Sequence, residues 1–158
     1  MSIIRWVGLG LLAAILLFGL IQLVPYGHSH ANPPVSQEPN WDAPQTRELA
    51  VRGCYDCHSN EAIWPWYSNV APVSWLIQHD VADGRRRLNF SDWGRREQES
   101  DEIERVIRRG DMPPWYYVSM HPTAKLTPTE QETLIRGLTA IAGGKSGSEG
   151  SETADDDD

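Results

Sequence analysis

The stretch RGCYDCHSN, residues 52–60, contains both cysteines of the chain. Cys54 and Cys57 are three positions apart, and His58 follows directly. Two thiols at this spacing can reach the two vinyl groups on one edge of a porphyrin, and the imidazole is then brought under the ring, where it can ligate iron. We therefore interpret Cys-x-x-Cys-His as the attachment sequence of one covalent c-type haem.

Three other uses of the cysteine pair predict features elsewhere in the chain. A thioredoxin-like redox pair needs a βαβ setting, and structural zinc of this type needs a second pair of ligands. A local disulfide suits an exported protein, but it closes a small loop and stabilises little. The helical patterning and the lack of a third cysteine favour haem. A haem-free interaction module with a structural disulfide stays the alternative.

Apolar residues outside this stretch follow a helical rather than an alternating period, which predicts an all-α domain over residues 41–142. A first helix is predicted to begin with Asp42 as its N-cap and to end at the cysteines. A second helix begins near Pro72 and stops at Gly84, and a third runs over residues 100–110 with Ile103, Val106 and Ile107 facing inward. The clearest helix follows the capping box at residues 127–130, which has proline at the first helical position.

A second iron ligand is expected from GDMPP, residues 110–114. Met112 lies there, and a proline-flanked loop could hold its thioether over the distal face of the haem. A methionine ligand raises the reduction potential of the iron, which suits a one-electron carrier. Met120, His121, His79 and an open position are the alternatives.

Aromatic residues are expected to wall the haem, with ordinary core packing as the alternative for each one. An arginine among residues 85–87 could bind a propionate. The expected wall consists of Trp64, Trp66, Tyr67, Trp75, Phe90, Trp93, Trp115 and Tyr116.

The N-terminus carries an apolar run, Trp6–Val24, whose one polar member is Gln22. A helix of this length spans roughly 28 Å, about the thickness of the hydrocarbon layer. Arg5 is the only charge before the run, which predicts a cytoplasmic N-terminus and an exported domain. We expect residues 1–24 to anchor the domain on the periplasmic side of a bacterial inner membrane. A signal peptide with its cleavage site at residues 29–31 is the alternative.

The segments on either side of the predicted domain have compositions that resist regular structure. Residues 25–40 hold four prolines and predict a linker that lifts the domain off the membrane. Residues 143–158 hold six acidic residues and one lysine and predict a disordered acidic tail. Much of the net charge of −8 therefore lies in the tail. Because the rest of the chain is not basic, nucleic acid is not expected as a partner.

With these motifs identified, the chain resembles class I cytochromes c in layout and, more closely, a family of short bacterial haem-binding domains. The resemblance covers roughly residues 41–142, leaving the anchor, linker and tail outside. It implies haem c on Cys54 and Cys57, with His58 as one ligand and Met112 as the other. The stretches that carry it are Cys54–Asn60, Trp64–Asn69, Pro72–Leu76, Leu88–Trp93 and His121–Thr127.

These features together predict a membrane-tethered one-electron carrier rather than an enzyme. Its redox partner proteins are not identified by the sequence. A haem-based sensor or a peroxidase-like domain with a weak or open distal site is the alternative.

Overall fold

The computed structural model describes residues 2–95 and 100–143, and the regular secondary structure in these ranges is entirely helical. The prediction of an all-α fold is confirmed. A single isolated bridge pairs Gln37 with Asp92. The predicted acidic tail lies outside the described residues from position 144 onward. The α-helices are α1 (Ser2–Ile21), α2 (Pro44–Gly53), α3 (Tyr55–His58), α4 (Val73–Arg87), α5 (Ser100–Arg108), α6 (Trp115–Met120) and α7 (Pro128–Gly143). Three short 3₁₀ helices cover Trp66–Asn69, Trp93–Arg95 and Pro122–Ala124.

The hydrophobic core lies where α2 and α5 pack on α7. Leu134 and Leu138 of α7 are buried there. Phe90 is fully buried and stacks on two aromatic rings, with centroids 5.4 Å from Tyr55 and 5.8 Å from Trp93. The core therefore reaches directly to the turn that carries the cysteines, since Tyr55 lies between them.

The start of α7 confirms the predicted capping box. The backbone N–H of Thr127 donates to Oε2 of Glu130 at 2.7 Å, and the N–H of Glu130 donates to Oγ1 of Thr127 at 3.3 Å. The pKa of the Glu130 carboxyl is lowered to about 2. The largest cause is the hydrogen bond from the Thr127 N–H, and the second is the hydrogen bond from Arg52. Arg52 also pairs with Glu130 at 2.6 Å, which ties α2 to the first turn of α7.

Two predicted helix boundaries are wrong. Helix α2 begins at Pro44 after an extended Ala43, and no side chain caps it, so Asp42 does not serve as the cap. Helix α4 does not stop at Gly84 but continues to Arg87. A Cβ at Gly84 would lie 2.5 Å from the carbonyl oxygen of Cys57. This glycine therefore permits the close approach of α3 to α4 and does not terminate the helix.

Residues 25–40 have no helix, but they lie along the domain. The N–H of Ser36 donates to the carbonyl of Ser91 at 2.9 Å, and the N–H of Trp93 donates to the carbonyl of Gln37 at 3.0 Å. The side-chain amide of Asn60 donates to the carbonyl of Pro34 at 3.0 Å. The segment therefore packs on the domain, whereas its composition predicted a spacer that holds the domain away from the membrane.

Helix α1 is long and apolar enough to cross a membrane, with a mean hydropathy of 2.2 over Ile3–Ile21. None of that window is buried against the rest of the described chain. A signal sequence near the N-terminus would meet the same criteria.

Candidate functional site

A cavity of about 540 Å³ lies beside the cysteine turn. Its size falls within the roughly 300–1,000 Å³ range that is common for ligand and cofactor pockets. Its wall includes Cys54, Cys57, His58 and Met112, so the fold brings all four predicted site residues to one cavity. Ile103, Val106 and Ile107 of α5, which the sequence predicted to face inward, form part of its apolar wall.

The junction of α2 and α3 positions the cysteines. The N–H of Cys54 donates to the carbonyl of Ala50 at 2.8 Å, which closes α2. The N–H groups of Cys57 and His58 then donate to the carbonyl of Cys54 at 3.2 and 2.9 Å, which makes α3 a single turn. Residues three apart on one turn share a side, so both thiols reach the same cavity. No disulfide joins them.

Burial determines the protonation state of the two thiols. It raises the pKa of both Cys54 and Cys57 to about 12, and for Cys57 the carboxylates of Asp80 and Asp56 add to the effect. At neutral pH both side chains are therefore neutral thiols and not thiolates. Among the described residues, no three or more His, Cys, Asp or Glu side chains are arranged to hold a metal ion. A structural zinc site at the cysteines would therefore lack the further ligands it needs there.

His58 is held in one tautomer by the backbone. Its Nδ1 lies 3.0 Å from the carbonyl oxygen of Leu88. A carbonyl oxygen only accepts, so Nδ1 carries the proton and Nε2 keeps a free lone pair. Burial lowers the pKa of this imidazole, which disfavours the charged form. A neutral histidine whose other nitrogen bonds to a backbone carbonyl has the arrangement typical of a metal ligand.

Among the candidates for a second ligand in the described chain, Met112 lines the cavity and the others do not. The backbone N–H of Met112 donates to the carbonyl of Val106 at 3.2 Å, which folds the loop back onto α5. Met120 is 61% exposed, and His79 is exposed on α4. His121 contacts the hydroxyl of Tyr67 at 3.3 Å and the carbonyl of Tyr117 at 3.1 Å.

The predicted aromatic wall is mostly wrong. Phe90 and Tyr116 line the cavity. Trp93 instead packs in the core against Phe90, while Trp66 and Trp115 are 79% and 78% exposed. Aromatic content alone does not reveal which side of its element a ring occupies. The predicted residues that do not line the cavity are Trp64, Trp66, Tyr67, Trp75, Trp93 and Trp115.

Two tyrosines of α6 join the cavity wall to α3 and α4. The hydroxyl of Tyr116 donates to Asp80 at 2.9 Å, and the hydroxyl of Tyr117 donates to Asp56 at 2.7 Å. Burial, followed by the bonded carboxylate, raises the pKa of Tyr116 to about 12 and that of Tyr117 further. Sequence reasoning did not identify Tyr117, Asp56 or Asp80. The available signal was the adjacent tyrosine pair directly after the GDMPPW stretch.

Charged side chains also line the cavity. Arg87 is the arginine of the 85–87 group found there, and its Nε pairs with Asp83 at 2.9 Å. Arg85 instead donates to the carbonyls of Ser59 and Ala31, each at 2.7 Å. Of the three arginines at residues 85–87, Arg87 is the one that lines the cavity, and propionate binding by it stays a prediction.

A model of the haem-binding domain family matches residues 16–140, more than three quarters of the chain. Comparison with curated proteins and with solved structures found no significant match. The family match begins inside α1 and includes residues 25–40, so the expectation that the resemblance starts near residue 41 is wrong. The part of this range from residue 25 to 40 packs on the domain. The cavity with its thiols, imidazole and thioether suits a haem, and the chain belongs to the family of haem-binding domains.

Proposed function

We propose that the chain holds one haem c in this cavity, bonded to Cys54 and Cys57, and that it carries single electrons. The observation that carries the proposal is the convergence of two thiols, one imidazole and one thioether on a single cavity of about 540 Å³. His58 and Met112 would hold the iron. When bound, the haem iron supplies a one-electron couple.

The cavity chemistry supports covalent attachment. Each neutral thiol can add across a vinyl group, placing its sulfur on one carbon and its hydrogen on the other, so no oxidant is needed. The turn holds both thiols on one side, and the Leu88 carbonyl keeps Nε2 of His58 unprotonated. A thioether ligand raises the reduction potential of haem iron, so Met112 would favour electron transfer if it held the iron.

The membrane anchor and the partners are part of the same proposal. Helix α1 spans the bacterial inner membrane, supported by its length and its mean hydropathy of 2.2. The haem domain lies on the periplasmic side, since thioether attachment of haem takes place outside the cytoplasm and Arg5 precedes the span. Redox proteins, and not nucleic acid, are the proposed partners, and the domain acts as a carrier and not as a catalyst.

The optical spectrum of the purified full-length protein, matured in cells that attach haem c, tests the proposal. We expect Met112→Ala to lose the methionine-to-iron charge-transfer band of the oxidised protein. The matched control Met120→Ala should keep the band, because Met120, unlike Met112, lies outside the cavity wall. A colourless protein would refute haem attachment. An unchanged spectrum in Met112→Ala would refute the ligand assignment, and carbon monoxide binding by the reduced wild type would favour the sensor alternative.

A further inference from the structure

Two long stretches of the sequence carry no aspartate, glutamate, lysine or arginine. The first is residues 6–37, and the second is residues 62–79. Charged residues make up 23% of the chain, so stretches of this length stand out. The first stretch continues well past the end of α1. The second is far away in sequence and is rich in tryptophan, with Trp64, Trp66 and Trp75.

The fold brings the two uncharged stretches together. The side-chain amide of Gln22 donates to the carbonyl of Ala71 at 3.0 Å, and its oxygen accepts the N–H of Ala71 at 2.9 Å. A few residues later, Gly27 has φ of +91°, and a Cβ there would lie 2.6 Å from the carbonyl oxygen of Ser74. The contact is therefore close and requires glycine. Further along the chain, Nε2 of His30 lies 3.0 Å from the carbonyl of Ser68.

Large apolar side chains on the two uncharged stretches remain exposed near the residues that make these contacts in the sequence. Leu23 and Trp66, for example, are 78% and 79% exposed, so the rest of the described chain does not cover them. We call this set the juxtamembrane surface, and it consists of Leu23, Tyr26, Trp66, Val73 and Leu76.

We propose that the juxtamembrane surface lies in the headgroup region of the bilayer that α1 spans, so that the domain rests directly on the membrane. Gln22 follows the last residue of α1 and bonds to Ala71, so Ala71 and its neighbours must be close to the point where the chain leaves the bilayer. Tryptophan and tyrosine are the residues enriched at membrane interfaces, because their rings are apolar with one polar group. No carboxylate from either stretch opposes this contact.

This inference rests on the proposed membrane span of α1 and adds a fixed position for the domain. Helix α4 runs from the surface to the cavity, since Val73 and Leu76 lie in its first turns and Asp80 and Gly84 line the cavity. At 1.5 Å per residue, Leu76 and Asp80 are separated by roughly 6 Å along the helix axis. A haem in the cavity therefore lies near the bilayer, within reach of a redox partner held in the membrane.

Site-specific photocrosslinking of the full-length protein tests the docking. A photoreactive benzoylphenylalanine replaces Val73 or Trp66 in protein reconstituted into vesicles of phosphatidylethanolamine and phosphatidylglycerol. The matched control replaces Val51, which is 43% exposed compared with 41% for Val73, on a helix that has no contact with α4 within the described chain. A second control replaces Phe18 inside α1. The haem spectrum of each variant reports whether it has folded.

We expect lipid adducts at positions 18, 73 and 66, with a yield at 73 several-fold above that at 51. Adducts at position 18 with equal yields at 73 and 51 would overturn the docking and leave the membrane span intact. Crosslinks from position 73 to a second copy of the chain in place of lipid would also overturn it. Absence of adducts at position 18 would refute the span itself, and the docking with it.

Discussion

Removal of the Tyr117 hydroxyl should weaken the fold where the cavity wall meets the cysteine turn. This hydroxyl donates at 2.7 Å to Asp56, whose other carboxylate oxygen accepts the N–H of Ile63 at 3.0 Å. A hydrogen bond to a charged group contributes about 1.5–3 kcal/mol, compared with about 0.5–1.5 kcal/mol for a neutral one. We therefore expect Tyr117→Phe to lower the free energy of unfolding by about 2 kcal/mol.

The matched control is Tyr67→Phe. Tyr67 lies 3.3 Å from an imidazole nitrogen, Nε2 of His121, and not from a carboxylate, and it does not line the cavity. Its loss should cost about 0.5 kcal/mol, at the low end for a neutral bond. Urea unfolding of the full-length protein in detergent, followed by far-ultraviolet circular dichroism, measures both variants. Since burial raises the pKa of Tyr117, the phenol stays protonated and its contribution should not change between pH 6 and about 9.

A second consequence concerns the loop that carries Met112. Helix α6 follows this loop after two residues, and its tyrosines bond to α3 and α4. Tyr117→Phe should therefore weaken the methionine-to-iron band more than Tyr67→Phe does. Equal stability of the two variants would contradict the assignment of a charge-assisted bond to Tyr117. If Tyr117→Phe loses stability but keeps the methionine-to-iron band unchanged, the Tyr117 hydroxyl stabilises the fold and does not position Met112.

Three further predictions concern the packing of the domain. Gly84→Ala should destabilise the fold by about 1–3 kcal/mol in thermal unfolding, because its Cβ would overlap the Cys57 carbonyl. Gly143→Ala, which meets nothing within 4 Å, should be close to neutral, and equal losses would argue against the overlap. The folded pKa of Glu130 is lowered to about 2, so its contribution is present above the unfolded pKa and is lost as the pH falls toward 2. The free energy of unfolding between pH 6 and 3 should therefore depend less on pH in Glu130→Gln than in the wild type. The same pH dependence in both proteins would contradict a stabilising role of the Glu130 carboxylate in the capping box. Arg85→Ala removes three hydrogen bonds and should cost about 1–3 kcal/mol and speed proteolysis within residues 25–40. The exposed Arg109→Ala should leave both unchanged, and the same digestion pattern in both variants would contradict the structural role of Arg85.

The features predicted correctly depend mainly on neighbours in the sequence, although the Asp42 cap, which is equally local, was wrong. The capping box at residues 127–130 needs only side chains within one helical turn. The cysteine turn and the apolar run of α1 are also contiguous, which is why the sequence was enough to indicate a haem and a helix able to span a membrane. The helical period of Ile103, Val106 and Ile107 predicted that these residues face inward, and the structure adds that they line the cavity.

Features that depend on packing between distant segments could not be predicted in the same way. In the sequence Gly84 is typical of a helix terminator, but its role is to let α3 pack closely against α4. The composition of residues 25–40 is typical of a spacer, but their backbone groups form hydrogen bonds with the domain. Nothing near Tyr117 in the sequence indicates Asp56, which is 61 positions away.

Local sequence determines the cysteine turn, the capping box of α7 and the apolar run, because the forces that produce them act over a few residues. The convergence of Met112 with the cysteines, the tyrosine–carboxylate bonds and the contact of Gln22 with Ala71 arise from the folded arrangement of the helices. Their partners are far apart along the chain, and their proximity results from burying apolar surface over the whole domain.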